Sequence, residues 1–120
     1  MYWVNLQLTN IMNVRHDDDF KISVNFVGED GTPLNNSEVK FNFVYQDCEG
    51  NKYEVSFDGT TRLNNVVKDD RVVIIFNANT FQRGQLSVTR RYQVDDSDFN
   101  DGVWNYSSPQ GSELIDVIII

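Results

Sequence analysis

The sequence predicts an all-β chain, an immunoglobulin-like antiparallel sandwich of seven to nine short strands. Three observations carry that expectation. Apolar residues recur with a period of two rather than 3.6. Turn-forming clusters separate most of the alternating stretches. No stretch of about 12 residues keeps helical periodicity between caps.

The alternation begins with Tyr2, Val4, Leu6 and Leu8. It returns at Phe20, Ile22, Val24 and Phe26, which a strand would place on one face against Lys21, Ser23 and Asn25. Gly28-Glu29-Asp30-Gly31-Thr32-Pro33 then turns the chain. Val39, Phe41, Phe43 and Tyr45 alternate up to Asp47-Cys48-Glu49-Gly50-Asn51, and Tyr53, Val55 and Phe57 follow. Residues 38–57 therefore read as one hairpin. Val72 to Phe76 is a continuous apolar run, expected to be covered on both faces. Asn77 to Arg83 is a polar connection with room for one helical turn. Leu86, Val88, Arg90 and Tyr92 share one face of the next strand. An acidic loop occupies 95–102, and strands are expected at Val103–Tyr106 and Glu113–Ile120. With no repeat, linker or low-complexity tract, residues 1–120 read as a single sandwich domain.

Size and charge narrow the function. The 120 residues are enough to bury a core without disulfides or metals. The 18 acidic and 10 basic residues give a net charge of −8. That disfavours sequence-independent nucleic-acid binding and docking on an anionic membrane, both of which need cations. Arg90-Arg91 is the one dense basic pair. The single cysteine, Cys48, excludes an intrachain disulfide. Met1-Tyr2-Trp3-Val4 lacks the basic and apolar regions of a signal peptide. The chain stops inside the apolar run Val117–Ile120, which leads us to expect a longer natural protein or a deeply packed last strand.

Chemistry is sparse. His16, the sole histidine, precedes Asp17-Asp18-Asp19. Neighbouring residues of an extended segment diverge, so this reads as a solvated loop rather than a metal site. There is no Gly-x-Ser-x-Gly elbow, and Asp47 and Glu49 beside Cys48 oppose thiolate formation. Among 18 acids, close carboxylate pairs arise by chance, so a glycosidase pair carries no weight.

Asp96, Asp98 and Asn100 match the first ligand spacing of an EF-hand loop and form a loose calcium candidate. Asp101 stands where that loop needs glycine, and Ser107 where it needs the closing glutamate. The bland alternative is a set of turn caps. Trp104 and Tyr106 share a strand face. They would either stack on a sugar ring or plug the sandwich core, and the core or interface reading is favoured. Trp3 lies on the opposite face from Tyr2 and Val4, where it would meet a partner. No catalytic residue and no cofactor is expected.

Four segments together resemble a known family: Val4-Asn5-Leu6-Gln7-Leu8; Phe20–Phe26 followed by Asp30-Gly31-Thr32-Pro33-Leu34; Gly84-Gln85-Leu86; and Asp96-Ser97-Asp98-Phe99-Asn100-Asp101-Gly102. The arrangement is similar to the immunoglobulin-like N-terminal domains of phage baseplate upper proteins and prophage tail structural proteins of the Bacteroidetes type. It spans nearly the whole chain, through turn phrases and strand order rather than a catalytic motif.

The resemblance implies a non-enzymatic adaptor that anchors a fibre or receptor-binding protein to other tail or baseplate proteins, in a trimer-related assembly. It also implies synthesis in the host cytoplasm and incorporation into the virion. A carbohydrate-binding or adhesin module, extracellular after loss of a leader, is the first alternative. A small carboxylate hydrolase is the second.

Overall fold

The computed structural model describes residues 11–28, 31 and 34–120. The expected strand at Tyr2–Leu8, with Trp3, lies outside the described residues. Among those described, nine strands follow in order: β1 (Met12–Val14), β2 (Phe20–Val24), β3 (Lys40–Gln46), β4 (Lys52–Phe57), β5 (Arg62–Leu63), β6 (Asn65–Lys68), β7 (Arg71–Phe76), β8 (Gly84–Asp95) and β9 (Val103–Ile119). One turn of 3-10 helix occupies Asn36–Glu38.

The strands form two sheets. The larger runs β1-β9-β8-β3-β4-β5 and the smaller β2-β7-β6. All neighbours are antiparallel except β1, which runs parallel to β9 and pairs Met12 with Val117. The architecture is an all-β sandwich. The curled larger sheet is not specifically immunoglobulin-like. Phe26, just after β2, packs on Tyr92 of β8 with ring centroids 5.2 Å apart.

The core lies between the sheets, and period-two patterning builds both of its faces. Phe41, Phe43 and Tyr45 of β3 and Leu86, Val88 and Tyr92 of β8 point inward. Facing them are Ile22 and Val24 of β2 and Val72, Ile74 and Phe76 of β7. Aromatic contacts cross the gap. Phe26 meets Phe41 at 5.3 Å, and Phe76 meets Tyr45 edge-on at 4.9 Å. The Tyr53 hydroxyl donates to the Ile75 carbonyl at 2.5 Å, tying β4 to β7.

Several expectations need correction. Val73 and Ile75 are only half-buried, so β7 is covered fully on one face and partly on the other. The 77–83 connection contains no helical turn; Asn79 sits at φ 62° and Thr80 donates to the Asn77 carbonyl instead. The strands expected at 103–106 and 113–120 are one strand, β9. Pairing with β8 continues through two register shifts, which absorb the excess of its 17 residues over the 12 of β8. The irregularity at Gly111 (φ 72°) changes which parity faces inward: Trp104, Tyr106 and Ser108 before it, Glu113, Ile115 and Val117 after it.

Candidate functional site

Strand parity separates the two arginines of the basic pair. Arg90 points into the sandwich and Arg91 out, so they form no joint patch. The Arg90 guanidinium meets Glu113 at 2.6 Å. Its backbone N–H donates to the Ser108 hydroxyl at 2.7 Å, and that hydroxyl donates back to the Arg90 carbonyl at 3.2 Å. A buried cation is tolerated here because a carboxylate and two strands satisfy most of its surroundings.

Three further buried polar groups are structural bolts. Asn36 accepts from the Phe26 N–H at 2.6 Å and donates to the Asp70 carbonyl at 2.8 Å. Asn65 donates to the Ser56 and Leu63 carbonyls and accepts from Arg62, which also lies 3.9 Å over the Phe57 ring. The Asp47 carboxylate accepts from the backbone of Glu49, Asn51 and Gln82 and from the Asn51 side chain. Burial alone would raise its pKa. These hydrogen bonds, that of Gln82 foremost, outweigh burial and hold it below the ordinary value. Sequence reasoning placed Asp47 in a turn and missed that the turn is clamped to the loop before β8.

The outward face of the larger sheet holds an open groove of about 620 Å³ across β9, β8, β3 and β4. Cross-strand register builds it. Lys40, Gln93 and Asn105 stand in one row; Ser56, Asn42, Arg91 and Ser107 stand in the next. Gln93 donates to the Asn105 side chain at 2.9 Å, and Asn42 donates to Glu54 at 2.8 Å. The outward parity of these positions was legible in the sequence, but their alignment across four strands was not.

A second surface lies at the edge of the smaller sheet. Among the described residues β6 pairs only with β7, and no described strand lies along its other edge. Val66 and Val67 on it, and Leu63 just before it, are exposed.

The residues singled out from the sequence fall elsewhere. Tyr106 is buried, and its ring packs on Tyr92 at 4.8 Å; Trp104 is half-buried against the same ring at 5.9 Å. Tyr106 belongs to the core and Trp104 packs partly buried against it, in line with the core reading favoured from the sequence. The 96–101 loop is a set of turns. The Asp96 carboxylate accepts from the Asp98 N–H and the Asp101 carboxylate from the Val103 N–H. Among the described residues no three His, Cys, Asp or Glu side chains converge as a metal site. Asp96 caps the first turn of the β8–β9 connection, and Asp98 and Asn100 lie exposed in it. His16 takes part through its backbone, donating to the Ile120 carbonyl and accepting from the Asn79 N–H. Cys48 is exposed, and its thiol donates to the Arg83 carbonyl at 3.0 Å.

No protein-family model matches the chain, and no curated protein is detectably similar to it in sequence.

Proposed function

We propose that this chain is a non-enzymatic structural domain of a phage tail or baseplate, where it anchors a fibre or receptor-binding protein to its neighbours. The observation that carries the reading is the β6 edge, along which no described strand lies. An edge strand offers unpaired N–H and C=O groups to another chain, and proteins that stay monomeric blunt such edges with charges, proline or a covering loop. Here β6 is short and carries Lys68, yet Val66 and Val67 on it are exposed. A partner strand would add to the smaller sheet beyond β6, with Val66 and Val67 supplying apolar contact. The sequence segments that resemble baseplate proteins support the same reading, since they include β2, the start of β8 and the β8–β9 connection.

Mass spectrometry of phage-like particles, released by inducing the source strain, tests it. The expected result is this chain at the copy number of a tail component. Particles carrying Val67→Lys should lose the downstream fibre protein. Complete particles lacking the chain would overturn the proposal.

A further inference from the structure

We propose that the outward groove of the larger sheet binds an acidic oligosaccharide, with Arg91 holding its carboxylate and the amides of Asn42, Gln93 and Asn105 its hydroxyls. The inference is independent of the tail reading and uses a different face from β6.

The groove lies on a sheet face, where β8 and β3 are paired on both sides, while β9 at Asn105 and Ser107 pairs with β8 alone among the described strands. An extended peptide gains affinity on a sheet chiefly by main-chain pairing at an edge. The face itself offers side chains. Three of them are amides, and each carries a donor and an acceptor on one planar group. That combination suits a sugar hydroxyl, which also donates and accepts. The volume falls within the usual range of small-ligand sites, roughly 300–1,000 Å³.

The cation gives the ligand its charge. Arg91 is exposed near the middle of the groove, and the two ion pairs among the described residues are Arg15–Asp17 and Arg90–Glu113. Among the described residues Arg91 thus presents a guanidinium with no carboxylate partner, on a chain of net charge −8. Lys40, in the adjacent row, is a second cation, whose charge also acts on Asp58. Two carboxylates lie close by, and each keeps its charge while held by neutral donors. Asp58 accepts from the Thr60 and Thr61 N–H groups of its own turn, and Glu54 accepts from Asn42. The guanidinium fork matches a carboxylate in bidentate fashion, which neither an ammonium nor an amide reproduces.

The test is nuclear magnetic resonance titration of the whole chain with oligogalacturonate, a sialylated oligosaccharide and a sulfated oligosaccharide. Methyl-esterified oligogalacturonate and an aspartate-rich peptide serve as controls. The expected result is shift changes confined to β3, β4, β8 and β9 with at least one acidic sugar. Arg91→Ala should weaken that binding about tenfold, equivalent to ~1.4 kcal/mol, with the fold intact. Esterification should weaken oligogalacturonate similarly if that sugar binds. Gln93→Ala and Asn42→Ala should weaken binding with the charge response preserved. The proposal is overturned if no acidic sugar shifts these strands, if Arg91→Ala leaves binding unchanged, or if the peptide binds as tightly as the sugar.

Discussion

Arg90 and Glu113 meet at 2.6 Å across a stretch of β8 and β9 where the two strands fall out of simple register. The arginine side chain is only 10% exposed, whereas the glutamate side chain is 32% exposed. Removing either partner is therefore not equivalent. Glu113→Ala leaves a desolvated guanidinium and should cost about 3 kcal/mol. Replacing both, as Arg90→Met with Glu113→Leu, should recover most of that loss. Urea denaturation of the single and double variants measures the difference. A Glu113→Ala variant as stable as the parent would mean that the pair contributes nothing.

Asp47 makes stability depend on acidity. Its folded pKa lies below its unfolded one, so its contribution is present above the unfolded value, near 3.9. That contribution is lost as the pH falls through the folded value. Asp47→Asn should cost about 2 kcal/mol at neutral pH, because an amide oxygen replaces a charged acceptor of several N–H groups. The variant should also show a flatter loss of stability below pH ~4. Thermal melts of both proteins across the acid range would reveal a parallel decline if Asp47 were not responsible.

The hydroxyls of Tyr45 and Tyr92 are buried with no hydrogen-bond partner among the described residues. Burial pushes the Tyr92 phenol up to about 12, aided by Tyr106 and opposed by Arg90; Tyr45 is raised further by burial. Raised phenol values favour the folded state below the unfolded pKa, near 10, and this advantage falls away as pH rises from there through the folded values. Tyr45→Phe removes an unsatisfied hydroxyl and should raise stability by ~1 kcal/mol at neutral pH. It should also delay alkaline unfolding. Ultraviolet titration of phenolate formation, compared with circular dichroism, checks both.

Gly84 opens β8 at φ 134°, and a Cβ there would come 3.1 Å from the Cys48 sulfur. Gly84→Ala should cost about 1–2 kcal/mol through backbone strain and crowding together. Adding Cys48→Ala should relieve the crowding but leave the strain, so the double variant should recover only part of the loss. Full recovery in a denaturation experiment would place the whole cost in the sulfur contact.

Most of the core was legible because period-two patterning is local. Phe41, Phe43 and Tyr45 on one side and Ile22 and Val24 on the other declare their faces without any neighbour. Arg90 was legible as an inward residue, in phase with Val88 and Tyr92. Its partner was not, because the irregularity around Gly111 resets the parity of β9 and only pairing with β8 fixes the offset. β1, β5 and β6 are two to four residues long and carry no periodic signal of their own. Long-range bolts such as Asn36 to Asp70 depend on the fold already formed. The groove escaped for the same reason, since each strand contributes only one or two polar side chains to it.

Residues 12 and 117 are partners in the parallel β1–β9 ladder, so the larger sheet joins stretches of chain more than a hundred positions apart. β9 also lies inside that sheet, between β1 and β8. During synthesis the earlier strands can pair locally, but β1 has no neighbour and β8 lacks one flank until β9 emerges. Such distant pairing carries a loop-closure cost and slows folding. Completion of the domain is therefore tied to the arrival of its last described strand. Until then the backbone groups on that flank of β8 stand unpaired.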